Sequence, residues 1–295
     1  MSDFLQLLVG AVTLGAIYAL IALGFNLIFA ASRLMNFAQG DLAMLGAMVG
    51  VTLAGTLHLP FSLVVLAAVV VVGLLFLAFN LGVLRPLAKR NATLTSMVMA
   101  TLALSMFLQG AAELIWGRLE QAVPSPVGST PLLVGGIVIV PHYLVVVGTS
   151  AVAFLAMFFF FRRTLTGKAL LATGFEPEAA RLVGINPVSM VALTCFLGGG
   201  FAALGGLIIG PITFAAPWMG LSLAVKGFAA SMLGGLGSLP GALLGGLIVG
   251  LLETFGAGYV SSAYSDAIIF LALMLILFVR PAGLLGSPLV TGEHF

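Results

Sequence analysis

Two ionisable residues, Lys226 and Glu253, stand inside long apolar runs. A charge there is costly enough to mark either a functional position or a deliberate pairing. Their runs, 221–236 and 242–258, are joined by Ser238-Leu239-Pro240-Gly241 and therefore run in opposite directions. Each residue lies about five positions from the outer end of its run, roughly 8 Å at 1.5 Å per residue, so the two can pair. The pair is either a neutralised lock between two helices or a substrate or gating contact.

A second group is the polar link Arg33-Leu34-Met35-Asn36-Phe37-Ala38-Gln39-Gly40-Asp41 between two apolar runs. Read as helix, it puts Asn36 and Gly40 one turn apart on one face. The link is either an interfacial turn or a broken segment lining a path, with Asn36, Gln39, Gly40 and Asp41 as the path-lining candidates. Irregular backbone at membrane depth is tolerated where it lines a cavity.

The third group lies in the basic loop 162–187. Pro177 suits a first helical position, Glu176 and Glu178 complement the positive end of the helix dipole, Arg181 complements the negative end, and Gly184 supplies a stop. A helix of about seven residues is marginal alone. It needs a surface to sit on, and its Leu182-Val183 tip favours a partner.

Other chemistry is missing. Gly167-Lys168 is followed by Ala169, and Arg162 stands where a phosphate-binding loop needs glycine, so that device for holding ATP is absent. His58, His142 and His294 fall at loop or terminal positions, and no Gly-x-Ser-x-Gly elbow occurs. Cys195, the one cysteine, lies in an apolar run and reads as a core residue, without a disulfide or thiolate metal site. Catalytic residues and a metal site are therefore not expected.

The elements that must carry these groups follow from composition. Charged residues make up 7% of the 295, against roughly 25% in soluble domains, and 61% are hydrophobic. Soluble enzymes and nucleic-acid binders are excluded together. With about 20 apolar residues per crossing, nine runs qualify: 4–31, 34–57, 61–84, 94–115, 142–161, 188–210, 221–236, 242–258 and 266–280. The first is long enough that it must tilt, break or protrude. The two flanking 238–241 are short and glycine-rich, so eight to ten spans fit. Arg85, Lys89 and Arg90, then Arg162, Arg163, Lys168 and Arg181, then Arg280 all fall on one side by this count, which the distribution of basic charge makes cytoplasmic. The carboxyl terminus is then cytoplasmic, with the amino terminus and 116–141 outside. Spacings such as Gly46/Gly50, Gly206/Gly210, Gly241/Gly245 and Gly246/Gly250 read as close helix packing. The Gly234–Ser238 stretch either joins that packing or unwinds.

The run LTGKALLATGFEPEAARLVGINPVSMVALT resembles the cytoplasmic loop of the permease subunits of branched-chain amino-acid ABC importers. So do GAIYALIALGFNLIFAASRLMNFAQGD (15–41), KGFAASMLGGLGSLPGALLGGLIVGLLE (226–253) and the closing Arg280-Pro281-Ala282-Gly283-Leu284-Leu285-Gly286. The chain is most similar to the smaller of the two paired permeases. The resemblance implies an all-α polytopic membrane protein with an ABC importer permease fold of type II-like kind, as a single permease domain over 1–295. It implies a heterodimer with a homologous permease in the bacterial inner membrane, two cytosolic ATPases that bind the ATP, and a periplasmic substrate-binding protein. It makes 177–183 the coupling helix, with Glu176, Pro177, Glu178, Arg181, Leu182 and Gly184 as the ATPase contact. The implied cargo is a branched-chain or similar apolar amino acid, although relatives in the family also carry urea, short amides and aromatic compounds. A stand-alone secondary transporter is the competing class, and it needs mid-span carboxylates or a proton relay that only Lys226 and Glu253 approach. Relatives often read Asn-Phe-Ala-His-Gly-Glu where this chain has Asn36-Phe37-Ala38-Gln39-Gly40-Asp41, an amide in place of an imidazole.

Overall fold

The computed structural model describes residues 2–128, 130–134 and 137–286. Without water to satisfy backbone groups, apolar runs of this length close their hydrogen bonds internally as helices. The long elements are α1 (Ser2–Ser32), α2 (Gln39–Gly50), α3 (Phe61–Phe79), α5 (Leu94–Trp116), α6 (Pro141–Arg163), α9 (Pro187–Thr213), α10 (Met219–Gly234), α11 (Leu239–Tyr259) and α12 (Ser265–Val279). Three short helices lie at the polar ends: α4 (Arg85–Lys89), α7 (Leu165–Phe175) and α8 (Pro177–Leu182). Widened π-helical turns continue α2 over Val51–Thr56 and α3 over Asn80–Leu84. Seven described helical segments are long and apolar enough to cross a membrane, and α10, with 16 residues, is a shorter apolar helix.

α1 is the central post. It packs most heavily on α11, then on α9 and α10, and its Ile17, Leu20, Ile21 and Leu23 are fully buried. Small residues permit this contact. A Cβ on Gly246 or Gly250 of α11 would overlap the α1 backbone at Ala19 or at Ala11 and Gly15. α2 and α9 make a reciprocal version, Gly46 against Ala203 and Gly206 against Ala43. Lipid offers no hydrophobic drive for helices to associate, so close backbone approach is what holds them.

The ends fix relative sidedness. At one end of α1, the Gln6 side chain donates to Val138 O at 2.8 Å and accepts from Val138 N at 2.9 Å. At the other, Arg33 Nη2 donates to Gly174 O of α7 at 3.1 Å. Val138 and the loop after α6 thus lie on opposite sides. Leu284 N and Leu285 N donate to Leu233 O and Gly234 O, which places the Arg280–Gly286 motif on the turn between α10 and α11. Gly237 of that turn sits beside Arg33 and Gly174, on the α7 side.

Three sequence expectations change and one is narrowed. The second run is not helical from residue 34; its helix begins at Gln39, so Asn36 and Gly40 are not one turn apart on a helical face. The first run neither breaks nor ends early. Its 31 residues, about 46 Å as a helix, protrude to meet a small antiparallel hairpin, β1 (Leu132–Val134) with β2 (Ile137–Ile139), that an all-helical reading left out. His142 is not in a loop: it is the second residue of α6, 2% exposed, with Nε2 2.8 Å from Ile208 O of α9. The loop 162–187 carries α7 as well as α8, because Thr164 caps α7 by accepting from Gly167 N at 3.0 Å. His294 lies outside the described residues.

Candidate functional site

α1 ends where Arg33 takes a left-handed backbone (φ 55°). The chain then runs without helix from Leu34 to Ala38, and side chains satisfy its polar groups. Asn36 Oδ1 accepts from Ala38 N at 3.1 Å, and Asn36 Nδ2 donates to Gln39 Oε1 at 3.0 Å. Gln39 Nε2 donates to Gly198 O, a carbonyl of α9, at 3.0 Å. Phe37 N reaches Thr101 Oγ1 of α5 at 3.3 Å, seven residues inside that helix. The break therefore lies within the helix bundle, where an unpaired amide is expensive.

Two amides hold the break, and one carboxylate follows it. Asn36 and Gln39 are fully buried, and Gly40 lies against the backbone of Gly220 and Ala224 at the start of α10. Asp41 is 4% exposed; its Oδ2 accepts from the Ser105 hydroxyl of α5 at 2.5 Å. Of the four path-lining candidates, Asp41 borders a cavity of about 130 Å³, shared with Ser105, Phe25, Phe37 and Phe228. Phe228 stacks on Phe37 at 6.4 Å between centroids and meets Phe25 edge-on at 5.9 Å. Phe37 and Leu221, both on its lining, are 40% and 74% exposed, so the space gives onto the outer face of α5 and α10. A carboxylate beside aromatic walls can take an ammonium group and a hydrocarbon body together.

Lys226 and Glu253 are brought together, with Nζ 2.6 Å from Oε1. Asp266 at the start of α12 comes within 3.4 Å of the same ammonium, and Tyr18 of α1 lies beneath it at 5.8 Å from the ring centroid. Four helices thus meet on one cation. Glu253 Oε2 and its neighbour Thr254 Oγ1 have no hydrogen-bond partner among the described residues.

On the loop, α8 spans Pro177–Leu182 with Pro177 in its first turn. Arg181 Nη1 bonds Glu178 Oε1 at 2.9 Å, and Gly184 takes φ +85° just past the end, which costs a residue without a Cβ little. Leu182 is 90% exposed and Val183 75%. This apolar tip projects away from the helical bundle.

The family model described as "Branched-chain amino acid transport system / permease component" matches residues 7–278. The chain belongs to this permease family. The permease is 33% identical over 300 residues to the high-affinity branched-chain amino acid transport system permease protein LivH of Salmonella typhimurium, covering 97% of this chain and 96% of that one. It is equally similar, 33% over 305 residues with the same coverage, to BraD of Pseudomonas aeruginosa, which carries the same description. A probable LivH of Methanocaldococcus jannaschii is 31% identical over 96% of this chain and 90% of its own. No solved structure matches the permease.

Sequence reasoning missed several residues that complete these sites in the permease. Ser105, Phe25 and Phe228 come from three different helices, and no spacing rule joins them to Asp41. Asp266 follows the polar stretch Ser261–Ser265, so it reads as interfacial. Asn26 carried a signal that could have been used, since it is an amide inside the apolar run of α1, before its last turn. It is 2% exposed, donates to Ser238 O at 2.8 Å and Gly235 O at 3.3 Å, and accepts from the Ser231 hydroxyl. It holds the unwound Gly235–Ser238 turn.

Proposed function

We propose that this permease is the membrane subunit of an ATP-driven importer for branched-chain or similar apolar amino acids in the bacterial inner membrane. The observation that carries the cargo reading is Asp41, a carboxylate that accepts from the Ser105 hydroxyl, set within the bundle beside Phe25, Phe37 and Phe228. An amino acid with a hydrocarbon side chain offers an ammonium to the first and its body to the others. The cargo named for LivH and BraD supports the same reading.

The opening of this space on the outer face of α5 and α10 supports a second, homologous permease seated there, so that the path forms between two chains. The basic ends at Arg85–Arg90, Arg162–Lys168 and Arg280 support a cytoplasmic α8 and carboxyl terminus. α8 then docks in two cytosolic ATPases' assembly through Arg181 and Leu182, and a periplasmic binding protein delivers cargo to the side of the β1–β2 hairpin. ATP is bound by the ATPases and not by this chain.

The test is reconstitution of the chain with its partner permease and ATPases in liposomes, with the binding protein and radiolabelled leucine outside. ATP-dependent accumulation is expected. Ion-gradient-driven uptake by the chain alone overturns the assignment in favour of a secondary transporter.

A further inference from the structure

A second cavity, of about 260 Å³, lies where the helix ends on the α7 side converge on the coupling loop. That is slightly below the roughly 300 Å³ at which ordinary small-molecule sites begin. Its walls come from the last turn of α1, the π-helical turn after α3, the start of α5, the first turn of α8 and the first turns of α9. Most of them are apolar: Ile28, Leu34, Leu84, Met97, Val188 and Val191.

Four polar side chains break this surface: Ser32 and Thr173, whose hydroxyls donate to the Ile28 and Ala169 carbonyls of their own helices, and Asn80 and Arg85. Asn80 is 4% exposed, lines the cavity, and its side-chain amide makes no hydrogen bond with any described residue. The amide is not sealed off, so a ligand in the cavity can reach it. It sits at the first residue of a π-helical turn, a distortion that is frequent at functional sites. Arg85, exposed one turn further on, stands on the same wall and leads to a more open basic recess with Lys89 and Arg90. No Asp or Glu lines the cavity.

We propose that this cavity binds an apolar monocarboxylate from the cytoplasmic side and that occupancy slows transport. The carboxylate takes the Asn80 amide and the Arg85 guanidinium, and the hydrocarbon body lies against Met97, Val188 and Val191. A zwitterionic amino acid fits less well because no carboxylate on the lining offsets its ammonium. The matching acids have two sources: a branched 2-oxo acid, formed when the imported amino acid loses its amino group, or a free fatty acid from the membrane.

The regulatory half rests on the importer reading above. Pro177 begins α8 and Pro187 begins α9, and both border the cavity. Any movement of α8 against the membrane helices changes the space between them. A ligand that fills one arrangement better than the other shifts the equilibrium toward it by its differential affinity.

Binding is tested first, by equilibrium dialysis of the purified chain with radiolabelled 4-methyl-2-oxopentanoate or decanoate; this needs no transport, so it stands or falls apart from the importer reading. Saturable binding of at least one acid is expected, at least tenfold weaker in Asn80→Asp, which sets a like charge against the carboxylate at nearly constant shape. Val191→Phe, which fills the space, is expected to abolish it should Asn80→Asp fail to fold. In the reconstituted importer the bound acid, placed on the ATPase side, is expected to lower leucine uptake several-fold in the parent chain and not in the variant. Binding of the oxo acid alone assigns the soluble source, and binding of decanoate alone assigns the lipid source. Binding of neither acid, or binding equal in parent and variants, overturns the site. Binding with unchanged uptake overturns the regulation.

Discussion

The ammonium of Lys226 lies between two carboxylates, 2.6 Å from Glu253 and 3.4 Å from Asp266, and only the first of these is sequestered. Glu253 has 16% of its side chain exposed and Asp266 has 65%. The two carboxylates are therefore not equivalent. Lys226→Met leaves Glu253 uncompensated within the bundle and is expected to cost roughly 3–5 kcal/mol, as for other broken buried pairs. Asp266→Asn removes an exposed partner and is expected to cost less than about 1 kcal/mol. The double variant Lys226→Met, Glu253→Leu should recover much of the first loss. Thermal unfolding in detergent reads all three, and equal losses for Lys226→Met and Asp266→Asn would contradict the ranking.

Asp41 carries a different expectation because its hydrogen-bond partner, Ser105, is neutral. Asp41→Asn keeps the shape and removes the charge that an ammonium would meet. Uptake of leucine by the reconstituted importer should fall at least about tenfold, the equivalent of ~1.4 kcal/mol and within the worth of a charge-assisted hydrogen bond. Ser105→Ala should have a smaller effect. Parent-like uptake by Asp41→Asn would remove the carboxylate from the path.

Glycine positions separate packing from tolerance. Gly46→Val puts side-chain atoms into the Ala203 backbone, which cannot yield without parting α2 from α9. Folded protein should be lost, whereas Gly148→Ala, with open space around its Cβ, should be neutral or stabilising by up to about 1 kcal/mol from helix propensity. Yield of monodisperse protein after membrane extraction distinguishes the two. Recovery of both variants at parental levels would show that the α2–α9 contact is not tight.

How far the sequence reached depended on whether a feature was local. Hydropathy placed the long helices because about 20 apolar residues are enough to specify a crossing, and the punctuation of α8 is likewise contained within Glu176–Gly184. The break at Leu34–Ala38 was harder. Its non-helical backbone is maintained by Gly198 and Thr101, residues 159 and 64 positions away from Gln39 and Phe37, so periodicity could not show it. Ser105 and Phe228 were hidden for the same reason. The β1–β2 hairpin was masked differently, since three-residue strands are too short to register against long apolar helices.

The loop helix offers the last separation, between a structural and a docking role. Within the chain, Arg181 makes one exposed bond to Glu178, with side chains 56% and 76% accessible. Such a pair contributes at most about 0.5 kcal/mol, and Leu182 is 90% exposed. Arg181→Glu combined with Leu182→Asp should therefore leave melting temperature and membrane insertion nearly unchanged. If α8 seats in an ATPase, the same double change reverses a charge and places another on the contact. ATPase co-purification should fall, and uptake in vesicles should drop to background while the permease remains in the membrane. Unchanged uptake would show that the exposed tip is not where the ATPase holds the permease. Loss of uptake together with loss of melting temperature would show that α8 is a structural support, because the free chain alone would then feel the substitution.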